Sequence, residues 1–319
     1  MRGVGTYDET LTTTREAVRL YRDVAANSAD RHGPCLARCL TDLSAVLREG
    51  GAHDEALAAS REAVQRFQDL ATARRAPHLP DFARSLVVLG ACLRDVGKSA
   101  AGLAASRDAV RLNRELAAAD PGRHTPELAR SLTDLGISLR GLRPYDEGLS
   151  PGIEAVQLSR ELAAANPARH TPDLARSLTE LGISLRGLAA HDHALAATGE
   201  AVQLGRDLAA AEPARHTPDL VRSLIGLGAS LRALGRRPEA VLHEGEAVAW
   251  WWQLTQRHPG AFDDKYRDAQ QRYFHTFSSY DHDPEDVLTA ELIARSRVQS
   301  YVDSTTASEA EMLVERSAS

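Results

Sequence analysis

The chain has 319 residues, 43% of them hydrophobic, and its net charge of −6 argues against broad, nonspecific binding to nucleic acid. No apolar run approaches the ~20 residues that a membrane-spanning helix needs, and residues 1–30 hold no secretory h-region, so a cytoplasmic location is expected. Of 38 basic residues only Lys98 and Lys265 are lysine, a skew that suits a GC-rich bacterial genome.

Residues 1–6 read as a short lead, and a helix is expected from about Asp8 to Asn27. Its Leu11, Ala17, Val18 and Val24 match the second helix of the repeats that follow, so residues 7–28 form a half repeat. Two readings fit: an N-terminal cap, or the end of a longer protein.

Five full repeats follow, over about 34–257. Residues 124–142, HTPELARSLTDLGISLRGL, return 46 residues later as HTPDLARSLTELGISLRGL, with looser copies from His32, His78 and His216. A period held without insertion means one structural unit stacked in register. Leu128, Leu132, Leu135 and Leu139 are spaced 4, 3 and 4, which makes one apolar helical stripe. First helices are expected at about 34–49, 80–96, 126–142, 172–188 and 218–234. Second helices are expected at about 53–73, 99–119, 151–165, 191–211 and 237–257.

Thr125, Thr171 and Thr217 each precede a Pro, so they are expected as N-caps with Pro at the first helical position. Gly136, Gly182 and Gly228 lie inside first helices, where Gly costs about 1 kcal/mol against Ala. Their recurrence predicts close approach of a neighbouring helix. Ala63, Ala109, Ala155, Ala201 and Ala247 recur in the second helices for the same reason. Ser150-Pro151-Gly152 interrupts one second helix, which is expected to restart at Pro151 with Ser150 as cap.

The last part changes character, with ten of the fifteen aromatic residues between Trp250 and Tyr301. Residues 262–302 are expected to form a degenerate capping repeat, with Tyr266, Tyr273 and Phe277 on its stripe and a closing helix from about Pro284 to Val302. Residues 303–319 read as a disordered tail.

Leu132-x2-Leu135-Gly136-x2-Leu139, followed by Ala in the second helix (Ala56, Ala194, Ala240) and Pro after it, resembles the tetratricopeptide repeat. The copies depart from that pattern in carrying Leu where the family often has Trp and Tyr. Their length of 46, against about 34, resembles the extended repeats of kinesin light chain-like bacterial proteins. The resemblance implies an all-α fold: a right-handed α-solenoid of stacked antiparallel helix pairs over 1–302, with first helices on the concave face.

On the helical wheel opposite Leu135, arginine recurs in two rows. Arg38, Arg84, Arg130, Arg176 and Arg222 form one; Arg48, Arg94, Arg140, Arg186 and Arg232 form the other. Between them runs a track that includes Thr133, Ile137, Thr179 and Ile183. One reading is a partner-binding face. The other is internal pairing, since Asp42, Asp134 and Glu180 each lie four residues after an Arg of the same helix.

The five period-spaced histidines, from His32 to His216, stand too far apart to share a metal and are expected as packing or capping groups. Cys35, Cys39 and Cys92 lack CxxC spacing and read as small packing residues. Gly97-Lys98-Ser99 resembles the end of a phosphate-binding loop, but Cys92 stands where that loop needs Gly and no strand precedes it. Asp281 to Asp286 is rich in oxygen ligands, though Asp283 as cap and Pro284 as first residue explain it as a helix start. Trp250, Trp251 and Trp252 span most of one helix's circumference and are either a cap or a secondary interface.

No metal, cofactor or catalytic group is expected. The function expected is a noncatalytic scaffold holding a protein or peptide with acidic and small apolar residues in the concave groove. Self-association through the half repeat is also open. The alternative is the sensor arm of a larger bacterial signalling or STAND-type NTPase regulator.

Overall fold

The structure is a computed structural model that describes residues 4–73, 75–142, 145–260 and 262–278, together with 292, 294–296, 298 and 299. All regular structure among them is helical. The order is α1 (Val4–Asn27), α2 (Ala29–Glu49), α3 (His53–Ala73), α4 (Arg75–Asp95), α5 (Ser99–Ala119), α6 (Pro121–Gly141) and α7 (Tyr145–Ala165). Then follow α8 (Pro167–Gly187), α9 (His191–Ala211), α10 (Pro213–Ala233), α11 (Arg237–Arg257) and α12 (Asp263–Ser278). Each helix packs beside the next within two compact units, one over Val4–Asn166 and one from Pro167 onward. The expected closing helix 284–302 is described only in part, and Asp281–Asp286, the side chain of Phe277 and 303–319 lie outside the described residues.

First helices begin about five residues earlier than the Thr-Pro signal predicts. In α6 the cap is Asp120, whose Oδ1 accepts from the Arg123 amide at 3.2 Å, and Pro121 is the first helical residue. Thr125 lies inside the helix and its hydroxyl donates to the Pro121 carbonyl at 2.7 Å. Two cap-plus-proline signals occur five residues apart, and the earlier one wins. Pro126 then removes only the bond to the Gly122 carbonyl, near the end of the helix. The restart expected at Pro151 is also absent. Helix α7 runs through it from Tyr145, because Pro151 frees only the carbonyl of Glu147, an exposed residue that water reaches. At the N-terminus, α1 begins at Val4 instead of Asp8.

The close approach expected at the recurring glycines is found at Gly182 and Gly228 but not at Gly136, where a Cβ would meet nothing nearer than the Gly148 carbonyl oxygen at 3.7 Å; Gly90 shows it as well. A Cβ on Gly90 would stand 3.2 Å from the Gly102 carbonyl oxygen, and one on Gly182 would meet the Ala194 carbonyl oxygen at 3.2 Å and Thr198 Cγ2 at 2.5 Å. In each case the first helix abuts the start of its own second helix, twelve residues on. Ser44 replaces this Gly in the first repeat, and its hydroxyl donates to the Ala56 carbonyl at 2.8 Å. The recurring Ala63, Ala109, Ala155, Ala201 and Ala247 are all buried. So are Leu132, Leu220 and Leu224, whereas Leu135 is only half-buried.

Neighbouring first helices also touch directly: α2 with α4, α4 with α6, and α8 with α10. Among the described residues no second helix comes as near its counterpart. Within each unit, the first-helix side is therefore the tighter one.

Candidate partner-binding face

That tight side carries the arginine rows, and most of their charge is already answered. In the first row Arg84 pairs with Asp42 at 2.6 Å, Arg222 with Glu180 at 2.5 Å, Arg130 with Glu127 at 3.1 Å and Arg38 with Asp81 at 3.9 Å. Arg176 is exposed. In the second row Arg48 pairs with Asp95 at 2.5 Å and Arg232 with Glu244. Arg94 lies 3.9 Å from Asp134 and donates to the Ser138 hydroxyl at 2.6 Å. Arg140 is half-buried.

Several of these pairs join one repeat to another. Asp42 and Glu180 bind an Arg of the following repeat and Asp134 one of the preceding repeat. Carboxylates at this place lie between first helices, within reach of a neighbouring repeat's guanidinium. The second helices carry a ladder of their own, with each Arg forty residues ahead of its Glu. Arg15–Glu55 and Arg22–Glu62 join α1 to α3, Arg107–Glu147 and Arg114–Glu154 join α5 to α7, and Arg206–Glu246 joins α9 to α11.

The expected track between the Arg rows is corrected in part. Thr133 and Thr179 are 4% and 2% exposed, and each hydroxyl bonds a carbonyl one turn back. Thr179 also meets the Ser223 hydroxyl at 2.7 Å, in the seam between α8 and α10. A wheel drawn for one helix puts these threonines outside; a second first helix packed alongside puts them inside. Ile137 and Ile183 remain half-buried, and Ile225 is 39% exposed.

In the unit from Pro167 onward, this face deepens into a groove of about 370 Å³. Ile183 and Arg186 of α8, Arg222, Ile225, Gly226 and Ala229 of α10, Trp251 of α11, and Lys265, Asp268 and Ala269 of α12 line it. It combines an aliphatic floor with cationic edges. The sequence pointed to Ile183, Arg186 and Arg222, but it missed Gly226 and Lys265. Gly226 departs from the acid found in three of the four earlier copies, a signal that was readable; the placement of α12 was not.

The tryptophans face inward. Trp250 and Trp251 are buried, Trp251 lies 5.9 Å from Phe262, and Arg295 stacks over the half-buried Trp252 at 5.0 Å. An external interface through Trp250 and Trp251 is thus closed by the chain's own residues. Beside them, Glu246 accepts from Arg206 Nε at 2.6 Å and Nη2 at 2.5 Å, with His243 at 3.6 Å. Burial pushes this carboxyl up, but the bonds and charges of Arg206 and His243 prevail and hold it at about 2.

His170 and His216 are buried, and burial followed by the charge of Arg215 lowers the His216 pKa. Among the described residues no three His, Cys, Asp or Glu side chains converge as metal ligands. Gly97 and Lys98 form the tight turn between α4 and α5, with Gly97 at φ +76°.

Residues 36–70 match the family model described as tetratricopeptide repeat. No curated protein matches the chain. Among solved structures, the chain is similar to BtubC (BKLC) from P. vanneervenii, with a TM-score of 0.54 and 16% identity over 87% of this chain and 94% of that one. It is similar to a Podosopora anserina putative kinesin light chain with nearly identical TPR-like repeats, with a TM-score of 0.52 and 20% identity over 71% of this chain and 98% of that one. Aspartyl phosphate phosphatase F from Bacillus subtilis gives a TM-score of 0.53 and 12% identity over 89% and 73%. At these identities the likeness is one of fold.

Proposed function

Because the chain is a helical-repeat protein of the tetratricopeptide type, we propose that it is a noncatalytic, cytoplasmic scaffold whose first-helix face holds a segment of a protein partner. The observation that carries this reading is the groove between α8, α10 and α12, where Ile183 and the exposed Ile225 lie between Arg186, Arg222 and Lys265. An exposed aliphatic floor edged by cations suits a segment with small apolar and acidic residues. Affinity capture with the full chain, followed by mass spectrometry of bound proteins, tests it. The double variant Ile183→Glu and Ile225→Glu should lose the partner, while Leu242→Glu, at a more exposed aliphatic position on α11, should keep it. Equal loss, or no loss, in both would count against the first-helix face.

A second contact surface concerns α1. Leu20 and Val24 are 58% and 44% exposed, whereas Leu112 and Leu254, their counterparts in α5 and α11, are buried. This stripe is the place for self-association. Sedimentation should then show an oligomer that Leu20→Glu dissociates; an unchanged mass would remove this surface from consideration.

A further inference from the structure

Positions 42, 88, 134, 180 and 226 occupy one column on successive first helices and read Asp, Val, Asp, Glu and Gly. Wherever the column holds an acid, a neighbouring repeat supplies it with a guanidinium: Arg84 for Asp42, Arg94 for Asp134 and Arg222 for Glu180. Arg94 stands forty residues ahead of its acid. Arg186 stands forty residues ahead of Gly226, which carries no carboxylate.

Two other solutions seen in its row are closed as well. Arg48 reaches Asp95, 47 residues on, where Arg186 finds Ala233. Arg232 reaches Glu244, twelve residues on, where Arg186 finds Thr198. Arg186 Nε is buried without a hydrogen-bond partner, and among the described residues no carboxylate pairs with Arg186 or Lys265. Arg186 itself is half-buried, but a buried, unanswered N–H on a cation is costly to leave in that state.

There is room for the missing group. A Cβ on Gly226 would stand 3.5 Å from Thr198 Cγ2 and 3.9 Å from Ile183 Cγ1, ordinary contact distances. The groove above it, at about 370 Å³, lies at the small end of ligand pockets and suits one or two side chains. Asp268 on the same wall disfavours a second negative charge, so a single carboxylate fits.

We propose that this groove binds an acidic side chain of a partner's peptide segment, its carboxylate meeting Arg186 and Lys265 where the column acid would stand, with an adjacent aliphatic side chain over Ile183, Ile225 and Ala229. The assignment rests on the reading that a partner binds the first-helix face. Arg186 can hold the carboxylate through two parallel hydrogen bonds, and Lys265 adds a point charge at the rim.

The test is a titration of the full chain, labelled at isoleucine methyls, with N-acetyl-glutamyl-leucinamide. Its glutaminyl analogue has the same shape without the charge, and N-acetyl-glutaminyl-leucine moves the carboxylate to the chain terminus. The glutamyl probe should shift the Ile183 and Ile225 methyls, with affinity at least tenfold above the glutaminyl analogue. Arg186→Gln should remove that preference. Gly226→Asp should abolish binding and raise the melting temperature above that of Gly226→Ala, because it gives Arg186 an internal partner; the folded state of each variant is checked by circular dichroism. Equal binding of the charged and uncharged probes, no shift at millimolar concentration, tighter binding of the terminal acid, or undiminished binding to Gly226→Asp would each overturn the proposal. Partner capture that depends on Ile183 and Ile225 while the probes fail would remove this site and leave the scaffold. Probe binding without such capture would do the reverse.

Discussion

Gly182 and Gly226 both lie in first helices, yet a methyl group would meet different surroundings at each. At 182 it would stand 2.5 Å from Thr198 Cγ2 and 3.2 Å from a backbone oxygen, so Gly182→Ala should cost about 1–3 kcal/mol in chemical denaturation despite its better helix propensity. At 226 nothing lies nearer than 3.5 Å, and Gly226→Ala should gain about 1 kcal/mol. Glu246 makes the pH prediction. Its carboxyl is held at about 2 against 4.5 unfolded, so its contribution is complete above pH 4.5 and fades as pH falls towards 2. The amount is on the order of 3 kcal/mol, and Glu246→Gln should flatten the acid limb of the stability curve over that window. The packing role of the glycines was legible because a costly residue recurred at one position. The burial of Thr133 was not, because it depends on a neighbouring helix that a single-helix wheel leaves out.

Among elements, α1 packs against α2, reaches α3 through the Arg15–Glu55 and Arg22–Glu62 ion pairs, and leaves Leu20 and Val24 in water. Its amides should exchange faster than those of α3, which has α2 and α4 on either side; equal protection would show that something else covers it. The Arg–Glu ladder makes a second prediction. It joins α1 to α3 and α5 to α7, but between α3 and α5 the exposed Arg61 faces a place held by Ala101. Ala101→Glu should add the missing pair, for at most about 0.5 kcal/mol, and the gain should vanish at 1 M salt. Helix existence and type were plain from the leucine spacing. Helix starts were misplaced because Asp120-Pro121 and Thr125-Pro126 carry the same kind of signal, and only packing decides between them.

Across the whole molecule, the 46-residue period made the fold legible before any contact was known. It also made the arginine rows conspicuous, and repetition alone could not tell an exposed charge from a paired one. Most row members turn out to have a carboxylate partner, in the same repeat or a neighbouring one, so the face presents far less positive potential than ten guanidinium groups would. The association rate with an acidic partner should therefore follow salt as for roughly two charges, Arg186 and Lys265, and not ten. Stopped-flow measurement across ionic strengths distinguishes the two.

The unit over Val4–Asn166 is fastened differently on its two sides, and this has a mechanical consequence. On one side α2, α4 and α6 abut through packed atoms, which resist compression strongly and ignore salt. On the other, long ion pairs act as ties under tension, and dissolved ions slacken them. Such a stack has a stiff inner edge and a compliant outer one. Among the described residues no ion pair ties α3 to α5, so bending is expected to concentrate at that joint while ionic strength adjusts the rest.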